Sequence, residues 1–465
     1  VNEFAAALGC MALDDGGDAS IPVREAASVR TGAVARLGTH GAMLALLLSA
    51  WSGSASASGF ALREGAADWM ANAFAGGGAK AYDAATVWAN PAGMVRLDAS
   101  EVDASLNGIF PTVAFSGEDS LGRNGTVPGS RGGNLIQAAA TAGGYGVWNF
   151  APNLRFGLAI AAPFGQRVSN PPDYVGRYQS LVSSVSDVAV LAAVSYRVND
   201  ALSVGGGPVI DYFSARLTQA IDLGPIAALA GDPVADVRGD DVSGGFNLGV
   251  LYQPTPDLRF GLDYRSRIQH GITGSQALAI PALVQTLSPG TAAALAASDT
   301  RVRTKITLPD IATASVYWQA SARLALMASL EWTDWSVLRG IDITPTNAGV
   351  PGTVIAEDWR DSWFVSIGAN YRIADAVLVQ GGIAHDESPV TFRTRTTRIP
   401  DSGRFQIGTG VRYDVTPRLA LQLAYTHMFF AAAPIANSTS PGAGLIVGKY
   451  SDSADTASIG AKLRF

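Results

Sequence analysis

At 465 residues the chain is long enough for two or three ordinary domains or for one large barrel. Only 15% of the residues are charged, and a formal net charge of -6 without basic clusters excludes a nucleic-acid-binding surface. A single cysteine, Cys10, excludes a disulfide framework within the chain, while 52 glycines beside 9 Trp and 13 Tyr depart from the composition of a soluble enzyme.

The first element in chain order is an apolar run of eleven residues, Gly41 to Trp51 (GAMLALLLSAW), preceded by Arg30, Arg36 and His40 and followed by Ser-Ala-Ser-Ala. It is too short to span a bilayer as a helix and has the layout of an export leader, with processing expected near Ser58. Residues 1–57 are therefore expected to be an upstream extension plus signal peptide. Residues 58–97 follow, about forty positions without sustained alternation but rich in Ala, Trp and Phe. Trp69, Met70, Ala73 and Phe74 suit the apolar face of a short helix that Gly76 to Gly78 would end, and Asn90 to Gly93 supplies a turn.

From residue 98 onward the pattern changes to period two. Candidate strands are 100–110, 142–151, 154–164, 182–198, 201–217, 237–254, 258–271, 302–319, 323–338, 360–373, 376–386, 404–415, 419–430 and 454–465. Leu419, Leu421, Leu423, Tyr425 and Phe429 point one way, and Ala420, Gln422, Ala424 and Thr426 point the other. Leu258, Phe260, Leu262 and Tyr264 likewise oppose Arg259, Gly261, Asp263 and Arg265. Turns of a few residues alternate with long loops, near 111–141, 165–181, 218–236, 272–301, 339–359, 387–403 and 431–453. Fourteen strands with that rhythm predict an all-β fold: a 14-stranded antiparallel transmembrane β-barrel with short periplasmic turns, long external loops and both ends on the periplasmic side. The barrel domain is expected over 98–465 in a Gram-negative outer membrane. Tyr196, Tyr264, Trp332, Trp335, Tyr371 and Tyr413 lie near strand ends and suit interfacial girdles. In loop 272–301, Ala277 to Val284 and Thr291 to Ala297 carry enough apolar side chain for a capture surface or a helix over the mouth.

Candidate chemistry is sparse. His385-Asp386-Glu387 has no glycine-framed Ser nearby, and the four histidines, His40, His270, His385 and His427, lack the short spacing of a zinc site. No catalytic residue, metal or cofactor is expected, and the chain is not read as an enzyme. Arg303 and Lys305 share a face and are candidates for holding an anionic head group. Arg393, Arg395 and Arg398 read as surface charges, with contact to lipopolysaccharide phosphate as one role.

Ser58-Gly59-Phe60, Asn72 to Gly76 (NAFAG), Asp83 to Thr86 (DAAT) and Asn90-Pro91-Ala92-Gly93 together resemble the amino-terminal hatch of the FadL/TodX family of outer-membrane transporters. Gly381 to Val390 (GGIAHDESPV), Arg398 to Arg404 (RIPDSGR) and Leu423 to Phe429 (LAYTHMF) resemble its late strands and loop. The resemblance covers Ser58 to Phe465. It implies an N-terminal hatch, residues 58–97, plugging the lumen, and passive uptake of long-chain fatty acids or related hydrophobic compounds. It also implies that Phe60 lies against bound ligand, that Asn90, Pro91, Ala92 and Gly93 form the hatch turn, and that release follows a hatch movement, by way of an opening in the wall. The alternatives are an aromatic-hydrocarbon or alkane channel of the same family, a nonspecific porin, and an outer-membrane lipid hydrolase. Expected partners are a hydrophobic small molecule, outer-membrane lipid and lipopolysaccharide. A closed wall with a private passage predicts a monomer.

Overall fold

Alternation along Leu419–Phe430 becomes one stave of a closed wall: Leu421, Leu423, Tyr425 and Phe429 are exposed while Ala420, Gln422, Ala424 and Thr426 are buried. The computed structural model describes residues 59–121, 125–438 and 444–465, all within one unit, Leu44–Phe465. The expected leader and the cleavage point near Ser58 lie outside the described residues.

Fourteen staves form the barrel. They are β1 (Glu101–Ser120), β2 (Ala139–Ala151), β3 (Leu154–Ala161, resumed at Gly165–Ser169), β4 (Val182–Arg197), β5 (Leu202–Ala220) and β6 (Val234–Thr255). Then come β7 (Leu258–Arg265, resumed at Thr273–Ala279), β8 (Thr300–Arg303, resumed at Ile311–Gln319), β9 (Leu324–Thr333, resumed at Gly340–Pro345) and β10 (Thr353–Ala356, resumed at Ser362–Ala374). The last are β11 (Val377–Asp386), β12 (Arg404–Asp414), β13 (Leu419–Phe430, resumed at Ala433–Asn437) and β14 (Leu445–Arg464). Every pairing between these staves is antiparallel, and β14 closes on β1 from Glu101↔Arg464 to Ser120↔Leu445. Closure pairs the edges that hydrocarbon cannot solvate.

An apolar band rings the outside. On β6 the exposed side chains run Tyr252, Val250, Leu248, Phe246 and Val242. Ten residues of a strand tilted by roughly 45° rise about 24 Å, the height of the hydrocarbon layer an outer-membrane barrel faces. Tyr196, Tyr264, Tyr371 and Tyr413 are exposed near strand ends, and Trp332 is half-buried with its indole N–H on Asp361 Oδ2 at 3.2 Å. Trp335 departs from the expected girdle. It is fully buried, because the chain leaves the wall after Thr333 in a short 3-10 turn, Trp335–Val337, that points the indole into the lumen.

The external ends are more ordered than period-two reading predicts. β1, β6 and β14 continue beyond the membrane, loop 218–236 holds a short helix, Pro225–Ala230, and loop 272–301 holds two more, Ala282–Leu287 and Pro289–Ala296. Ile268–His270 and Ile306–Leu308 turn inward and pair with each other apart from the main sheet.

The segment before the barrel fills the lumen. Three short helices, α1 (Ala67–Ala71), α2 (Gly77–Lys80) and α3 (Thr86–Ala89), are followed by a 3-10 turn, Pro91–Arg96. Trp69, Met70, Ala73, Ala79, Val87, Trp88 and Met94 are all buried against the inner wall. Glycine on the wall makes that fit possible: a Cβ on Gly261 would strike the Gly78 carbonyl, and one on Gly249 would strike the Asn90 side chain.

Candidate functional site

The lower part of the hatch is pinned by buried polar groups that bond one another and the wall. Asn90 caps the 3-10 turn by accepting from Ala92 N at 3.0 Å, with Pro91 at the first position where a missing N–H costs nothing. Its Nδ2 donates to Gly78 O at 2.7 Å, Val250 O at 3.1 Å and Leu262 O at 3.3 Å, joining the hatch to β6 and β7. Ala92 O accepts from Ser203 Oγ at 2.9 Å and Ser195 Oγ at 3.3 Å, joining it to β5 and β4. Gly93 packs under Thr86, leaving no room for a side chain. Lys80 is buried against Asp68 at 2.5 Å, and Gln380 of β11 also donates to Asp68, at 2.8 Å.

The leading segment, Gly59 to Arg63, is held differently. Its backbone runs beside the break in β3, where Pro163 cannot donate to a ladder. Leu62 N donates to Pro163 O at 2.7 Å and Gly165 N to Phe60 O at 2.8 Å, so Ala61 and Phe164 face each other as an antiparallel bridge. Gly59 N reaches Asp401 Oδ2 at 3.0 Å. Arg63 bridges two staves, bonding Glu331 of β9 at 2.7 Å and Asp386 of β11 at 2.8 Å.

Phe60 sits in a ring cluster, with centroids 4.9 Å from Trp335, 5.7 Å from Phe164 and 5.7 Å from Trp359. Two cavities lie on either side of this segment. The outer one is narrow and its wall is almost wholly apolar, as the walls of small-molecule sites are: Phe60, Val185, Phe213, Leu217, Ile272, Val302, Ile306, Leu338, Ile343 and Ile399. The inner one is lined by Ala61, Leu62, Arg63, Trp69, Phe74 and Trp88 of the hatch, with Ala161, Ala162 and Pro163 of the broken stave. Phe60 lines the first and Ala61 to Arg63 the second, so four consecutive residues partition the lumen. At the break, β2 pairs with β3 only up to Gly144↔Ile160, and beyond that point the two staves part.

Two charged groups reach the outer cavity from extracellular links. Arg398 is buried, with one Nη on Gln219 Oε1. Its Nη1 has no partner among the described residues. Burial pulls its pKa down to about 10, which leaves it a cation at neutral pH. Burial pushes the Glu357 carboxyl up to about 7, although Trp359 Nε1 donates to its Oε2 at 3.0 Å. Burial likewise lifts Asp401 to about 6. Thr304 Oγ1 and Trp335 Nε1 are also buried without partners among the described residues. A buried unmet donor costs about 1–3 kcal/mol. An anion entering this cavity would be met by a guanidinium N–H inside a greasy wall.

The structure places Phe60 on the partition and brings Asn90, Pro91, Ala92 and Gly93 together in the pinned hatch turn. Arg303 and Lys305 are exposed and outside the cavity lining, whereas their neighbours Val302, Thr304 and Ile306 line it. Arg393 is exposed as a surface charge should be, but Arg395 and Arg398 are not: both are buried, Arg395 donating to Asp401 O at 3.0 Å. The loop folds into the barrel mouth, which no local pattern signals. Sequence reasoning missed Glu357, Trp359, Phe164 and the role of Trp335; only the segment Arg398 to Arg404 carried any signal. Among the described residues no group of three or more His, Cys, Asp or Glu could hold a metal ion.

A family model described as outer membrane protein transport protein (OMPP1/FadL/TodX) matches residues 48–465. The long-chain fatty acid transport protein of Salmonella typhi is 26% identical over 402 residues, covering 83% of this chain and 90% of that protein. Its namesake in Escherichia coli K12 is 24% identical over 412 residues, covering 83% and 91%. Among solved structures, a FadL homologue from Pseudomonas aeruginosa superposes with a TM-score of 0.80 at 23% identity, over 88% of this chain and all of that one. The toluene transporter TbuX of Ralstonia pickettii does so with a TM-score of 0.61 at 18% identity, over 85% and 99%. At those identities the structures speak for the fold alone.

Proposed function

The chain belongs to the outer membrane protein transport family OMPP1/FadL/TodX, and from its cavities we infer that the hydrophobic molecules it carries include long-chain carboxylic acids. It is a passive outer-membrane barrel transporter of hydrophobic small molecules, not an enzyme. The observation that carries the acid reading is Arg398 Nη1, a buried cationic donor without a partner among the described residues, at the edge of an apolar cavity.

Each methylene leaving water contributes about 0.8 kcal/mol, so an alkyl chain supplies its own drive into the outer cavity. The carboxylate meets Arg398, and the chain lies against Phe60 and the ring cluster. Exposed Leu229, Leu283 and Leu287 on the external helices serve as a first catch. Passage inward requires Gly59 to Arg63 to leave the broken stave, because that segment separates the two cavities. Two backbone bonds, the Gly59 N to Asp401 bond and the two Arg63 ion pairs hold it, and Asp386 keeps Arg404 as a partner when Arg63 leaves. From the inner cavity the gap between β2 and β3 leads sideways into the membrane, while the pinned hatch turn below keeps the lumen shut to polar solutes.

A second reading is an aromatic hydrocarbon as cargo. The four-ring cluster of Phe60, Phe164, Trp335 and Trp359 favours it by offering edge-to-face contacts to a flat guest, and relatives of the same fold are toluene transporters. Uptake of labelled oleate and labelled toluene, in cells with and without the protein, separates the readings. Oleate uptake that depends on the protein supports the acid reading; toluene uptake alone sinks it in favour of the second.

A further inference from the structure

The outer wall carries a row of arginines that transport through the lumen does not use. Register places Ser184 of β4 opposite Arg216 of β5, Arg216 opposite Arg238 of β6, Arg238 opposite Ser275 of β7, and Ser275 opposite Arg301 of β8. All three arginines are exposed, and these five residues line one shallow groove on the outside of the barrel, together with Ser214 and Asp240. Like charges directly across a strand pair repel, so Arg216 beside Arg238 is an unfavourable arrangement unless an anion sits between them. Arg216 is partly neutralised by Asp236 at 2.7 Å. Arg238 and Arg301 have no side-chain hydrogen bond or ion pair with any described residue.

Height identifies the occupant. On β5 the apolar face ends with Ile210 and Tyr212, and Arg216 follows four residues later; on β6 it ends at Val242, and Arg238 lies four residues beyond. Four residues of a strand tilted by roughly 45° rise about 9 Å, which sets the guanidiniums just above the hydrocarbon, in the head-group layer. Planar guanidinium forks match phosphate oxygens in pairs. We propose that Arg216, Arg238 and Arg301 form a docking site for the phosphates of an anionic lipid in the outer leaflet, whose acyl chains lie down the wall against Val242 and Ile210. The proposal rests on the outer-membrane placement and is independent of which cargo the lumen carries. A free phosphate ion would gain nothing from the apolar surface below the groove.

The test is binding to the purified barrel in detergent, with three probes: bis-phosphorylated lipid A, fully dephosphorylated lipid A and inorganic phosphate. The native protein should bind the phosphorylated lipid at least about tenfold more tightly than the dephosphorylated one, equivalent to about 1.4 kcal/mol. R216Q/R238Q/R301Q should lose that preference while unfolding at the same temperature as the native barrel, and millimolar inorganic phosphate should not displace the lipid. Equal binding of the two lipids to the native protein would overturn the proposal without any variant. Displacement by inorganic phosphate would also overturn it, by making the row a general anion site.

Discussion

Replacing Arg398 by Met keeps the volume of the side chain and removes a buried guanidinium that lines the apolar cavity beside Glu357. A hydrogen bond to a charged group contributes about 1.5–3 kcal/mol, so the variant should bind a long-chain acid about 10- to 150-fold more weakly. The change also strips Glu357 of a neighbouring positive charge, and burial already holds that carboxyl up to about 7. R398M is therefore best compared on an E357Q background, where no buried anion is left behind. Trp335 and Trp359 flank Phe60, which makes tryptophan fluorescence a direct readout of occupancy. Titration with oleate should show the loss, and titration with methyl oleate, which lacks the charge, should show almost none. Equal effects on acid and ester, or a loss under threefold for the acid, would refute the head-group role of Arg398.

Two further outcomes follow from the same geometry. The Glu357 carboxyl is raised from 4.5 to about 7 in the folded protein, so its contribution to stability is fully present below 4.5 and is lost as pH rises through 7. A ligand carboxylate prefers the neutral acid, so oleate affinity should fall about tenfold between pH 6 and pH 8, and E357Q should flatten that profile; a profile that stays steep in E357Q assigns the titration elsewhere. Asn90→Ala leaves Gly78 O, Val250 O and Leu262 O short of a donor and uncaps the turn at Ala92, a loss of about 1–3 kcal/mol or more. It should lower the unfolding temperature and let small polar dyes through the barrel; tight barrels with native stability would show that the hatch is held by other means.

Much of the wall was legible because membrane and lumen impose opposite demands on alternate residues. Leu421 and Gln422 are neighbours with opposite surroundings, and period two reports that directly. Turn length gave the orientation for a similar reason, since only the external loops are free to grow. The site was less legible because its parts come from distant links. Phe60, Phe164, Trp335, Trp359, Glu357 and Arg398 meet only after closure, and nothing local distinguishes buried Arg398 from exposed Arg393. Trp335 was misread as an interfacial ring because a residue that ends a strand can turn either way. The stave breaks at Ala162 to Phe164 and around Ile268 and Ile306 were likewise invisible in alternation, which continues on both sides of each.

The proposed passage turns on a movement of Gly59 to Arg63 away from the broken stave. Ala61 and Phe164 form a bridge flanked by the bonds Leu62 N to Pro163 O and Gly165 N to Phe60 O, which makes them a non-hydrogen-bonded pair, with Cα atoms about 4.5 Å apart, close enough for a disulfide. A61C/F164C, with Cys10 also replaced, can therefore be locked by oxidation and released by reduction in the same sample. Oleate uptake should stop when the bond is closed and return when it is reduced; uptake that continues undiminished with the bond closed would contradict a passage gated by this segment.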